Sequence, residues 1–225
     1  MLFKLATTYS LNGEILTAPD SISADGASGP DVSVLGGVSN QQVACSVLLA
    51  KLQLIFLVSS QPVTLKLNGT NAVQTQTIGG GVTGGTFPLT FGGQTVTGIP
   101  WNASAAAVQA AFTGLSSVGA GNATVSGPAG GPYLFTFGGT LGVAPQSLIT
   151  TSTASLTGGT PTNTIASTTT GVVPSQTISM PAGIAMPWRV GGYFACPFSV
   201  DVVNFYLSNA GSVAATVNFR FGQNA

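Results

Sequence analysis

From Leu67 to Trp188 the chain carries no Asp, Glu, Lys or Arg, and histidine is absent throughout. Charged residues make up 4% of the whole, while 44% are hydrophobic. Disordered chains show the opposite balance, high charge with few apolar groups. With 31 Gly and 13 Pro to break up regular structure, the composition points to an all-β protein rich in turns. It also limits the chemistry. The uncharged stretch has no general acid or base, no metal ligand set and no cation for a phosphate. Of the acids, only Asp201 lies C-terminal to that stretch, and without histidine neither a Ser-His-Asp triad nor a histidine metal site can form. The expectation is a protein with no catalytic residues, no metal and no cofactor. Asp201 is expected to bind turn amides or to pair with Arg189 or Arg220.

The formal charge is zero, from five basic and five acidic residues. Nucleic acid and anionic membrane are therefore not expected partners, because both require a basic footprint. No apolar run has the length of a membrane span, and residues 1–6 are too short for a signal-peptide core. A soluble protein made in the cytosol is expected. Cys45 and Cys196 read as small buried hydrophobes.

Residues 86–141 have a plan of their own. Phe87, Leu89 and Phe91 alternate with small or polar residues, and the alternation resumes after Gly92-Gly93, which predicts a hairpin. Then the period changes. Val108, Ala111, Phe112 and Leu115 fall at i, i+3, i+4 and i+7, predicting one amphipathic helix capped by Asn102 or Ser104. Gly119 and Gly121 end it. Ala123 to Ser126 offers a third strand, and Tyr133, Phe135 and Phe137 a fourth. The predicted unit is ββαββ, a four-stranded sheet with the helix on one face.

Four phrases in this stretch carry a resemblance: F-P-L-T-F-G-G-Q-T from Phe87, N-A-S-A-A-A-V-Q-A-A from Asn102, G-A-G-N-A-T-V from Gly119 and G-G-P-Y-L-F-T-F from Gly130. Together they resemble a module of structural proteins of tailed bacteriophages, over about a quarter of the chain. FLVSSQPVTLKLNG and PFSVDVVNFYLSNAG, on either side, look like phrases of small jelly-roll-type phage proteins.

The remainder organises around this unit. Residues 1–42, with acidic Glu14, Asp20, Asp25 and Asp31 among Gly, Ser and Pro, read as an extended N-terminal arm, or else as a strand with a surface loop. Phe3, Leu5, Tyr9 and Leu11 are its apolar anchors and the candidate partner-binding residues. The apolar run from Val43 and the alternation of Val63, Leu65 and Leu67 predict core strands. Strands return after residue 172, with Asn209-Ala210-Gly211 read as a hairpin turn. Residues 43–78 and 172–225 thus read as a host β-sandwich, jelly-roll-like as the resemblance of FLVSSQPVTLKLNG and PFSVDVVNFYLSNAG implies, with residues 79–171 an inserted α+β domain. The Gly/Thr/Ser stretches 79–85 and 150–171 read as its linkers.

The resemblance implies a virion structural protein on the capsid exterior. Its expected role is decoration, or cement, binding the major capsid protein and bridging neighbouring subunits, with self-association as a homotrimer. A tail-tube or fibre-associated component stays open. So does a carbohydrate-binding module stacking sugars on Trp101 or Tyr133.

Overall fold

The computed structural model describes residues 2–11, 14–23, 26–191 and 195–223, with residues up to 28 and Arg189 described through their main chain. Among the described residues the chain is mainly β, with one α-helix. It divides into two compact units, one of Met1–Asn68 with Ser175–Ala225 and a second of Gly69–Pro174.

The first unit opens with β1 (Leu2–Leu11), β2 (Glu14–Ser23), β3 (Gly26–Ser28), β4 (Asp31–Val34), β5 (Gln41–Val43), β6 (Leu52–Ser59) and β7 (Val63–Leu67). The second unit holds β8 (Val73–Gly79), β9 (Gly84–Phe91), β10 (Gln94–Pro100), α1 (Ala105–Thr113), β11 (Ala123–Ser126) and β12 (Tyr133–Phe137). It ends with β13 (Thr150–Thr151), β14 (Leu156–Thr157) and β15 (Thr162–Thr169). The chain then returns to the first unit for β16 (Gln176–Met180), β17 (Met186–Arg189), β18 (Phe205–Ser208) and β19 (Ala215–Gln223).

The pairing in the first unit is nested. β4 pairs with β19, β5 with β18, β6 with β17 and β7 with β16, all antiparallel. These strands are one long hairpin whose tip is β7–β16. Rolling the hairpin sets β6 beside β19 and β7 beside β18. Two layers result, β4-β19-β6-β17 and β5-β18-β7-β16, with β3 adding to β19. That is the connectivity of a jelly roll.

Period-two alternation supplies its core. Val63, Leu65 and Leu67 on β7 meet Ala215, Val217, Phe219 and Phe221 on β19, all buried. Phe205 of β18 stacks on Phe219 with ring centroids 5.3 Å apart. This stacking corrects the expected hairpin at Asn209. β18 and β19 lie in different layers, so the connection crosses the sandwich and lets both strands aim phenylalanines at one core. Asn209 holds the crossing from inside, its buried amide donating to the Val34 and Val213 carbonyls and its Oδ1 accepting from Gly211 N.

Part of the segment read as an arm is paired structure. β3 and β4 add to β19 and β5 adds to β18, so residues 26–34 and 41–43 are edges of the jelly roll. β1 and β2 form a ribbon of antiparallel pairs from Leu2–Ser23 to Leu11–Glu14. It joins no other described sheet.

In the second unit the order strand, strand, helix, strand, strand holds at β9, β10, α1, β11 and β12. The strands do not form one sheet. β9 and β10 lie in a layer with β13 and β14, and β11 and β12 in another with β8 and β15. The reason is the amount of apolar surface. Phe87, Leu89 and Phe91 on β9 and Tyr133, Phe135 and Phe137 on β12 are two full aromatic rows, too much for a helix whose buried residues are Val108 and Phe112. The rows belong to one core, with Phe112 between them, its ring 5.8 Å from Phe91 and 5.1 Å from Phe135. Ser104 is the N-cap, accepting from Ala107 N.

The two Gly-rich stretches are not linkers. β8 pairs with β15, and β9 with β14, so the two ladders meet at a shared corner. There, Thr83 N donates to Thr157 O and Thr160 N to Gly80 O. Glycine is needed for room: a Cβ on Gly80 would lie 1.8 Å from Thr160 O, and one on Gly85 2.0 Å from Ser155 O, both at positive φ. Gly85→Ala should therefore destabilise the second unit by about 1–3 kcal/mol. Urea unfolding should read this as a lower midpoint with the slope unchanged. The boundary moves accordingly, from the expected residue 79 to Gly69, because β8 pairs with β12 and β15.

Candidate functional site

Titratable side chains are few, and several of the described ones have a structural partner nearby. Arg220 on β19 donates to Asp31 on β4 at 2.7 Å, and Asn218 donates to the same oxygen. The Arg220 hydrogen bond, with help from Asn218, holds the Asp31 carboxyl below its ordinary range, and Asp31 in turn raises Arg220. Both side chains are substantially exposed, so the pair fastens an edge strand with little net energy. Lys66 donates to Asn40 Oδ1 at 2.7 Å. Asp201 accepts from Leu49 N at 2.7 Å, while its carbonyl accepts from Asn68. Asp201 thus binds a turn amide, one of its expected roles, and Arg220 goes to Asp31; the Arg189 side chain lies outside the described residues. Among the described residues no cluster of three or more His, Cys, Asp or Glu could hold a metal ion, and no helix is long and apolar enough to cross a membrane.

Cys45 and Cys196 are free, half-buried and packed against the jelly-roll core. Burial raises both thiols. Tyr133 and Tyr206 are buried and raised for the same reason, with the Gly130 amide partly offsetting the effect at Tyr133. These directions set the pH profile. A raised acid contributes stability that is present below its unfolded pKa and is lost as pH rises through the folded one. Asp31, lowered, contributes above its unfolded pKa and loses that as pH falls. The thermal midpoint should stay flat from about pH 5 to about pH 8, since no histidine titrates there. It should fall above about pH 9 and only slightly below about pH 4. A steep change near neutrality would contradict this assignment.

Of the two aromatic residues considered for sugar stacking, Tyr133 is 0% exposed. Its hydroxyl donates to Ala103 O and accepts from Gly130 N, pinning the helix entry to the 128–131 turn. It offers no face to a ligand. Trp101 is half-buried against the same core. The four arm residues Phe3, Leu5, Tyr9 and Leu11 fall at alternate positions of β1, which the ladder places on one face with Leu16, Ala18 and Ile22 of β2 and with the acidic Asp20 and Glu14, opposite Leu5 and Leu11. Their side chains lie outside the described residues.

A buried polar network in the second unit has no counterpart in the sequence reading. Gln74 and Gln76 on β8 are fully buried. Gln74 donates to Ser147 O and accepts from Ile149 N; Gln76 donates to Asn163 Oδ1, and Asn163 to Thr151 Oγ1. These amides tie β8, β13 and β15 together across the core. The alternation V-Q-T-Q-T gives no sign of which face is inside, because both sets are polar.

The geometry defines a jelly roll, with a second, charge-free β-sandwich inserted in the chain between β7 and β16. No family model matches the chain, and no curated protein matches it in sequence.

Proposed function

We propose that this protein is a non-enzymatic structural component of a tailed-bacteriophage virion, decorating the capsid exterior through contacts with the major capsid protein. The fold alone does not decide this, since viral capsid domains, lectins and cupins all use jelly rolls. Two features support the structural reading over those two. A cupin-like metal site has no described ligand cluster to use, and a lectin-like site loses the buried Tyr133.

The observation that carries the reading is the β1–β2 ribbon. A two-stranded ribbon is marginal on its own, and the register puts Phe3, Leu5, Tyr9 and Leu11 on a single face. Such an element gains stability by lying along another surface or adding to a sheet edge. The ribbon also carries Lys4, Glu14 and Asp20, but the attachment is expected to rest mainly on apolar contact and backbone pairing, so raising salt should weaken it little.

Electron cryo-microscopy of virions carrying this chain should place a jelly roll outside the capsid shell, and removing residues 1–23 should detach it while the rest stays folded. Density in the tail would favour the tail-component reading. Absence from the particle would reject both.

A further inference from the structure

Sheet edges are where a β protein is open to pairing with another chain, and natural edges are kept short, bulged, charged or broken by proline. The edges described here follow that rule, one of them less than the rest. In the jelly roll, β17 has four residues including Pro187, β4 has four beginning with Asp31, and β5 has three. β16 has five and is followed by Pro181. The ribbon strands are longer, but β1 carries Lys4 and β2 carries Glu14, Pro19 and Asp20. In the second unit β11 has four residues. β10 is bulged between Val96 and Ile99 and ends on Pro100.

β15 is different. It runs eight residues, Thr-Asn-Thr-Ile-Ala-Ser-Thr-Thr, with neither charge nor proline. Pro161 precedes it and a bulge between Ser167 and Thr169 interrupts its end, but its described ladder is to β8 on one side only and is regular over the six residues from Thr162 to Ser167. Ala166 to Thr170 are exposed in succession, both faces of the strand included, so nothing in the unit covers this edge.

We propose that β15 pairs antiparallel with β15 of a second copy of this chain, joining two four-stranded layers into one sheet across a two-fold axis. A second copy fits better than a foreign strand. Strand addition takes its specificity from pockets for alternate side chains, and the outward neighbours of β15 are the short side chains Thr75 and Thr77, which select nothing. Self-pairing needs no pocket. Under a two-fold, Thr and Ser face their own kind, a favourable cross-strand match, and a unit without a single charged residue has nothing to repel its copy. Identical patches meeting in this way close the contact at two copies.

The test uses the full chain. Thr164 and Ala166 are exposed, so Lys or Glu at both positions leaves the fold in place, as circular dichroism will check. In sedimentation equilibrium the Thr164→Lys/Ala166→Lys variant should have half the mass of the unaltered protein, and so should Thr164→Glu/Ala166→Glu. Mixing the two variants should restore the full mass, because opposite charges then meet across the axis. Amide exchange over residues 162–169 should be slowed with rising concentration in the unaltered chain alone. Equal masses for the unaltered and Lys chains would overturn the proposal. So would a mixture that stays at half mass, or concentration-dependent protection lying elsewhere.

Discussion

Deleting residues 70–175 is expected to leave a folded jelly roll with stability within about 1 kcal/mol of the first unit in the intact protein. The deletion joins Gly69 to Gln176. Leu67 and Gln176 are already opposite one another in the β7–β16 ladder, so the join closes the long hairpin with a two-residue Asn-Gly loop, the sequence preferred in a type I′ turn. Asn68 is prepared for it. Its φ is 60°, and its side chain is fixed by Val203 N and the Asp201 carbonyl. The energetic change is small because the folded insertion already acts as a short loop: Thr70 and Val172 exchange two backbone hydrogen bonds of 3.0 and 2.9 Å just inside its ends. Residues 69–174 should likewise fold alone. A cut at 79–171 should behave quite differently, since it strands β8 without β12 and β15 and exposes its buried glutamines and partly buried Ile78. Well-dispersed amide spectra from the first shortened chain and aggregation of the second are the expected pair of results. Collapsed spectra from the first would mean that the jelly roll depends on its guest.

That boundary error is informative about what the residues alone can specify. Alternation and the switch of period at Val108 located β9, β10, α1, β11 and β12, and composition set the class, because these are local properties of the chain. Which strands share a sheet is not local. Four alternating strands beside a helix suit a covered single sheet as well as two facing layers, and the number of aromatic rows needing cover decides between them. Gly-rich stretches are ambiguous in the same way. Glycine at 79–85 reads as freedom in the sequence, whereas in the structure it is close packing, with Gly80 and Gly85 too near carbonyl oxygens of the neighbouring strand to carry a Cβ. The nested pairing of β4–β19 down to β7–β16 spans up to nearly the whole chain, beyond the reach of any window. The candidate surfaces follow the same division. The alternate apolar positions of β1 were readable. The open edge of β15 was not, since T-N-T-I-A-S-T-T looks like a polar loop until it is paired with β8.

Phe112→Ala should unfold the second unit selectively. Phe112 is 0% exposed and is the helix's main contact with both layers, its ring within 6.1 Å of Phe91, Phe135 and Phe137. Truncating a buried phenylalanine costs about 3–5 kcal/mol, part of it for the cavity that remains. A unit of this length has about 5–15 kcal/mol in total, so a large fraction is lost. At about 4–8 °C per kcal/mol, its melting transition should fall by roughly 12–40 °C. The jelly roll has a separate core, in which Phe205, Phe219 and Phe221 take the corresponding place, and its transition should not move. Phe219→Ala should produce the reverse. Scanning calorimetry separates the cases, because independent cores give two transitions of which each substitution shifts one. If both substitutions lowered a single transition together, the chain would have one cooperative core, and the division at Asn68 and Ser175 would describe its connectivity without describing its stability.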